Sequence, residues 1–368
     1  MSDCVITVVG AGLAGCEAAW QLAERGIPVQ LVEMKPRERS PAHELDGMAE
    51  LVCSNSFRGS ALASAVGLLK EELTRTGSLL MKLAQKTCIP AGRALAVDRK
   101  LFSDEVEQAM RSHPLISVEH RRVDSLPTER TIIATGPLTD GVLATEIAGS
   151  ETLLHYHDAI APLVEADSLN MDTVFCASRY DEPDGQGDYL NCPLDERQYY
   201  RLVEALVRAE RIPLHDFEKA PFFEGCLPVE EMAVRGPLTL CYGPLKPVGL
   251  IDPATAKRPF AVVQLRSENK NRSAYNLVGF QTRLTRPEQK RVFRDIPGLE
   301  RAIFARYGQV HSHRFVNAPR ALDGRLRLKA RPHITIAGQL AGVEGYVESI
   351  ACGLAAGLFV AAECRELD

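Results

Sequence analysis

After a short polar start, residues 4–9 (CVITVV) form an apolar, β-branched run of the kind that makes a buried strand. Residues 16–25 then place Ala18, Ala19, Leu22 and Ala23 on one helical face, and Gly26 ends the helix. A second apolar run, 29–32, closes on Glu33. Further along, residues 131–136 (TIIATG) and 334–339 (ITIAGQ) predict two more strands. The latter leads into a helix of small residues over 349–362. Between them the pattern is less regular. Residues 181–188 are polar and turn-rich, 195–209 read as an amphipathic helix, 221–259 carry many Gly and Pro, and 260–265 read as a strand. The chain shows no internal repeat and no low-complexity tract.

The turn between the first strand and the first helix is Gly10-Ala11-Gly12-Leu13-Ala14-Gly15, with Glu33 lying 18 positions after its last glycine. A GxGxxG between strand and helix with such an acid downstream is a dinucleotide-binding signature. Gly10 permits the tight turn, Gly12 lets backbone approach a pyrophosphate, and Gly15 allows close helix–strand packing. The helix N-terminus offers free N–H groups and a positive dipole end to the anion. Glu33 can accept from ribose hydroxyls and would repel a 2′-phosphate, which favours FAD or NAD over NADP. Two segments then favour FAD: the strand ending at Thr135-Gly136, suited to the adenosine half, and a second Gly-rich helix start. The latter comprises Gly338, Gln339, Gly342, Gly345 and Tyr346, suited to the flavin end.

The expected fold is therefore α/β, with a discontinuous Rossmann-like FAD-binding domain over 1–90, 123–155 and 325–368. An α+β domain facing substrate or RNA is inserted over 91–122 and 156–324. A length of 368 residues suits about two domains with full cores. Hydrophobic residues at 45% and charged residues at 25% exclude a disordered or collagen-like chain. No window holds 18 uninterrupted apolar residues, so no transmembrane helix is expected. The acid-bearing start runs straight into a strand, unlike a secretory leader, so a cytoplasmic location without membrane attachment is expected. A net charge of −5 excludes a globally basic binder but not a local basic face.

Ten cysteines without a CxxC pair make a zinc ribbon unlikely, and no metal is assigned. Two cysteines have unusual settings. Cys53 is followed by Ser54, Asn55 and Ser56 with Arg58 close by, surroundings that can favour thiolate. Cys226 lies between Gly225 and Pro228 in a constrained loop, with Glu230 and Glu231 just beyond. Each is either a nucleophile or a buried structural thiol. Basic residues concentrate in two groups, one with Arg283, Arg286, Lys290 and Arg291, the other with Arg320, Arg325, Arg327 and Lys329. Such groups suit RNA or another polyanion, or a solvated surface. His311 and His313 lack a third ligand at metal spacing and are expected to play ordinary polar roles.

The blocks GAGLAGCEAA, PAHELDGMAELVCSNSFRG, FFEGCLPVEEMA, GPLKPVGLIDP, FAVVQLR and AGQLAGVEGYVES carry a resemblance. The chain resembles the bacterial folate- and FAD-dependent tRNA (uracil-5-)-methyltransferases through nearly its whole length. It also resembles, more distantly, the flavoproteins that modify the tRNA wobble uridine. The resemblance implies FAD as cofactor, 5,10-methylenetetrahydrofolate as carbon donor, NAD(P)H as reductant, and C5 of the tRNA T-loop uridine as target. It implies that the methylene passes through the flavin N5 to uracil and that reduced flavin supplies a hydride. Uracil C5 is a poor nucleophile until C6 is attacked, and the family's two functional cysteines match Cys53 and Cys226. Cys226 is taken as the leading nucleophile, with Cys53 assisting or exchanging that role, and Tyr346 matches a tyrosine beside the flavin. Family members usually continue past the helix at 349–362, whereas this sequence ends at Asp368. FAD binding is expected to survive and tRNA methylation to be weak or absent. Three readings follow. The matched cysteines favour an RNA uracil methyltransferase. The short C-terminus favours an FAD-binding paralogue that binds RNA or folate without methylating tRNA. A small-molecule FAD/NAD(P)H oxidoreductase is disfavoured by the basic groups.

Overall fold

The structure is a computed structural model that describes residues 5–149, 153–179, 187–213, 222 and 224–365; most of the polar stretch at 181–188 lies outside them. A six-stranded sheet carries the first core, in the order Arg327–Leu328, Arg331–Ile336, Thr131–Ile133, Ile6–Val9, Val29–Glu33, Ile116–His120. Neighbours run parallel except Arg327–Leu328, which folds back on Arg331–Ile336. Parallel strands covered on both faces need continuous apolar sequence, and Ile6–Val9 and Thr131–Ile133 are buried at every position. The chain goes from Ile6–Val9 to one neighbour, Val29–Glu33, and returns on the other side at Thr131–Ile133. The crevice beyond the strand ends at such a reversal is where open α/β sheets bind ligands.

The helix Leu13–Ala23 packs along the long helix Tyr346–Cys364, close enough that a Cβ on Gly353 would overlap the Ala14 carbonyl. The long helix has the length and apolarity to cross a membrane, with mean hydropathy 1.6, where the sequence was expected to hold no such segment. Glu348 and Glu363 interrupt the run by simple counting. In the fold 56% of its apolar window is buried, and Ile350, Leu354 and Val360 share a core with Ala18 and Leu22.

The boundary expected at 91–122 is corrected. Ile116–His120 pairs in parallel with Val29–Glu33, and the helix Arg99–Ser112 buries Phe102, Val106 and Met110 in the same core as Ile6 and Leu31. Residues 99–120 thus pack with the nucleotide-type sheet, whereas Ala94–Val97 pairs in a separate three-stranded sheet with Ser56–Gly59 and Cys88–Ile89. A second six-stranded sheet, with every pairing antiparallel, runs Phe175–Cys176, Tyr189–Leu194, Ala261–Ser267, Ala274–Leu277, Leu163–Glu165, Phe304–Arg306. Against it lies the helix Glu196–Arg208, started by a capping box in which Asp195 and Gln198 satisfy each other's backbone N–H. Its apolar face, Tyr199, Leu202 and Leu206, joins Val263, Leu265 and Phe293 in a separate core. A two-stranded ribbon, Leu154–Ile160 with Gln309–Phe315, stands apart from both sheets and sets His311 opposite Asp158 and His313 opposite Tyr156.

Candidate functional site

A cleft of about 560 Å³ runs from the turn after Ile6–Val9 to the ribbon. At its first end the main chain does the work. Gly10 has φ +98, and a Cβ there would lie 2.5 Å from the Ala134 oxygen. A Cβ on Gly15 would overlap the Gly10 carbonyl, so helix and turn touch directly. Gly12 is the contrast: a Cβ there meets no atom within 4 Å. It is the N-cap of Leu13–Ala23 and makes no side-chain cap bond, so the helix's first amides face open cleft at the one glycine where space is left. This cradle fits a pyrophosphate. Glu33 is buried and accepts from the backbone N–H of Ala11 at 2.7 Å and of Lys35 at 2.9 Å. A carboxylate has lone pairs left for ribose hydroxyls, and Glu33 lines the cleft. Thr135 and Gly136 line it too, with the Thr135 hydroxyl held by Thr139 at 2.6 Å. Gly338, Gln339, Gly345 and Tyr346 form a further wall. Gly342, expected to join them, instead closes a turn at φ +89 and is exposed, off the cleft.

At the other end the groups are side chains drawn from distant segments. Cys53, Asp158 and Cys226 bring their sulfur and carboxylate atoms within 4.8 Å of one another. Cys53 is fixed by its neighbours: its N–H and that of Ser54 donate to the Tyr346 hydroxyl at 2.8 and 3.1 Å. Three buried arginines brace the same loop. Arg266 donates to Asn55 Oδ1 at 2.9 Å and to Ser54 Oγ at 2.7 Å, Arg306 to the Val52 carbonyl at 3.3 Å, and Arg99 to the Leu51 carbonyl. Arg99 also pairs with Glu268. The neighbouring Cys53 thiol, burial and the nearby Asp158 carboxylate push the Cys226 thiol well above the ordinary range. Burial pushes the Asp158 carboxyl up to about 7, opposed by the Cys226 thiol beside it. His313 Nε2 stands 3.9 Å from Asp158 Oδ2, yet burial first and then two neighbouring histidines push the imidazole down to about 3. Because the imidazole is held neutral, the contact is not an ion pair. On the far side His313 Nδ1 lies 3.0 Å from the Tyr156 hydroxyl, which also meets Glu344.

Several expectations are corrected here. The acids beside Cys226 in sequence are not its partners. Glu230 is buried against Thr282 and the Arg283 N–H, both at 2.8 Å, and Glu231 pairs with Arg211 and Arg283. Arg58 pairs with Glu348. The basic groups are partly spent inside the protein: Arg283 on Glu231, Arg291 on Glu288, Arg325 on Glu363, and Arg327 on Asp323 and Glu363. Lys329 donates to the Pro319 carbonyl. Arg286, Lys290 and Arg320 are exposed, with Arg286 lying over the Tyr307 ring. Sequence reasoning missed Asp158, Arg266 and the Tyr156–Glu344 pair. An aspartate inside the buried half of a strand, as in LHYHDAI, is the signal that could have pointed to Asp158.

A Rossmann-type nucleotide cleft that ends in a half-buried pair of cysteines defines a two-domain protein of the FAD-binding class. The chain belongs to the family described as glucose inhibited division protein A, whose profile matches residues 5–368. It is 58% identical over 358 residues to the methylenetetrahydrofolate–tRNA-(uracil-5-)-methyltransferase TrmFO of Pelobacter propionicus, covering 97% of this chain and 79% of that protein. It is likewise 58% identical over 357 residues to the protein of the same name from Geobacter sulfurreducens, covering 96% and 82%. Among solved structures it resembles Aquifex aeolicus GidA at TM-score 0.72 and 15% identity, covering 99% of this chain and 64% of that one.

Proposed function

We propose that this protein is an FAD-dependent enzyme that methylates C5 of uracil in tRNA, with methylenetetrahydrofolate as carbon donor. The observation that carries the reading is the cysteine pair, Cys53 and Cys226, held with Asp158 at the opposite end of the cleft from the glycine turn. Gly10, Gly12, Gly15 and Glu33 would hold the nucleotide half of FAD, and Gly338, Gln339, Gly345 and Tyr346 its flavin side. Bound there, FAD supplies the redox chemistry, with NAD(P)H as the source of electrons. Cys226 adds to uracil C6, which turns C5 into a nucleophile. Cys53, fixed by Tyr346 and the buried arginines, lies in contact with it. Exposed Arg286, Lys290 and Arg320 are the cations available to tRNA phosphates, and the setting is the cytoplasm. The test is to incubate the FAD-loaded protein with labelled methylenetetrahydrofolate, NADPH and unmodified tRNA, then digest the RNA and chromatograph the nucleosides. Labelled 5-methyluridine is the expected product. Its absence, with FAD bound and tRNA retained on the protein, overturns methylation in favour of a flavoprotein that only binds RNA.

A further inference from the structure

Asp158 is buried to 6% exposure, and its Oδ1 has no hydrogen-bond partner among the described residues. It is the carboxylate within 4.8 Å of both cysteine sulfurs. A buried carboxylate ordinarily has a cation or several donors, and among the described residues no arginine hydrogen-bonds to it or pairs with it. Arg99, Arg266 and Arg306 reach the carbonyls and side chains of the 51–55 loop. From the ribbon His313 faces it in neutral form, with His311 on the paired strand and His157 adjacent; Glu344 adds only further negative charge. Besides the neutral His313, what closes on it is the cysteine pair, with the Cys226 thiol within 4.8 Å of the carboxylate. That thiol does not ionise by itself, because Cys53, burial and Asp158 all hold its proton in place.

We infer that Asp158 is the general base and acid of the cysteine pair, taking the Cys226 proton when sulfur bonds to carbon and returning it when that bond breaks. The inference rests on the uracil-methylation reading above. In the forward step the S–H bond breaks and an O–H bond forms on Asp158. Sulfur bonds to uracil C6, and the C5=C6 electron pair moves onto C5 and the conjugated C4 carbonyl oxygen. Once C5 has used that pair to bond the new carbon, its proton leaves to water in the cleft; in the last step the electron pair left by the broken C5–H bond re-forms C5=C6, the C6–S pair goes to sulfur, and sulfur takes the proton back from Asp158. A base that titrates near neutrality suits both directions. The arrangement also separates electrostatics from proton transfer. The Asp158 charge makes Cys226 harder to ionise at rest, yet Asp158 is needed when the bond forms.

The test compares wild type with Asp158→Asn and Asp158→Glu, all loaded with FAD and checked for equal flavin content. Two readouts are taken: the kcat for tRNA methylation across pH, and the rate at which iodoacetamide alkylates Cys226, followed by mass spectrometry. Asp158→Asn is expected to lower kcat by about 10²–10⁴-fold with little change in KM, and to remove the acidic limb of the pH profile. The same substitution is expected to speed alkylation, since a negative neighbour is gone. Asp158→Glu is expected to restore part of kcat. A fall in alkylation and kcat together, an unchanged kcat, or an acidic limb surviving in Asp158→Asn each overturns the inference. If wild type makes no 5-methyluridine, the parent reading fails. The alkylation arm then still decides whether Asp158 governs the thiol: a rise supports it, and an unchanged rate overturns it.

Discussion

The two ends of the cleft are built on opposite principles. At the Gly10 end the ligand-facing groups are main-chain amides and one carboxylate, all from residues 10–33, and the side chains are mostly absent because they would collide. At the Cys53 end the groups are side chains from three separated segments, and they are crowded and incompletely partnered. A backbone cradle is pre-paid by secondary structure and holds a fixed shape. A side-chain cluster costs desolvation, and it keeps the reactive groups in a raised, convertible protonation state. In the function proposed above, binding and chemistry are thus separated along one cavity, and the separation is open to attack from either end.

The largest effect is expected from Cys226→Ala: methylation falls by at least about 10³-fold, as for removal of a nucleophile, while FAD stays bound. Absorbance at the flavin band and 5-methyluridine formation measure the two halves on one sample, and loss of flavin would show that the ends are coupled. Glu33→Arg attacks the other end. It leaves the Ala11 and Lys35 amides without their acceptor and places a cation against the ribose, so FAD affinity is expected to fall by about 10- to 100-fold. Flavin titration of the apoprotein checks it; wild-type affinity would move the ribose contact away from Glu33.

Asp158→Asn also has a signature in stability. The Asp158 carboxyl is raised from 3.8 to about 7 in the fold, so folding favours its protonated form. That contribution is full below pH 3.8, shrinks as pH rises between those values, and is gone above about 7, where the buried charge is a constant penalty. The variant is expected to melt above wild type at pH 8, with the gap narrowing toward pH 4; a gap independent of pH would place the cause in packing. The smallest effect belongs outside the cleft. Asp195→Ala removes one half of the capping box and is expected to cost about 1 kcal/mol in urea unfolding, with methylation unchanged.

This division also explains what the sequence disclosed. The glycine turn and Glu33 were readable because their partners lie within one strand–helix–strand unit. The helix at 195–209 was readable because Asp195 and Gln198 cap it locally. Cys53 and Cys226 stood out through long shared blocks, but Asp158 and His313 meet only when Leu154–Ile160 pairs with Gln309–Phe315. The ion pairs of the basic groups were legible only in part, for a related reason. Arg291 and Arg327 have acids three or four residues away, a visible pattern, while Glu231 and Glu363 reach Arg283 and Arg325 from elsewhere in the chain. The strand Ile116–His120 was assigned to the insertion because, at the sheet edge, it has only one fully buried position and lacks the apolar run of its inner neighbours.

The packing of Leu13–Ala23 against Tyr346–Cys364 has a consequence for how the protein is made. The helix that covers the glycine turn and the Gly338–Tyr346 wall leave the ribosome more than 300 residues after the turn itself. The cofactor cradle is therefore open and incomplete while that stretch is made. The nascent chain must hold its first apolar helix uncovered until more than 340 residues have emerged. The inserted sheet, whose own core closes by Phe304–Arg306, is free to fold earlier. Flavin capture thus becomes a late event in biogenesis, and a truncated translation product carries the fingerprint without the means to use it.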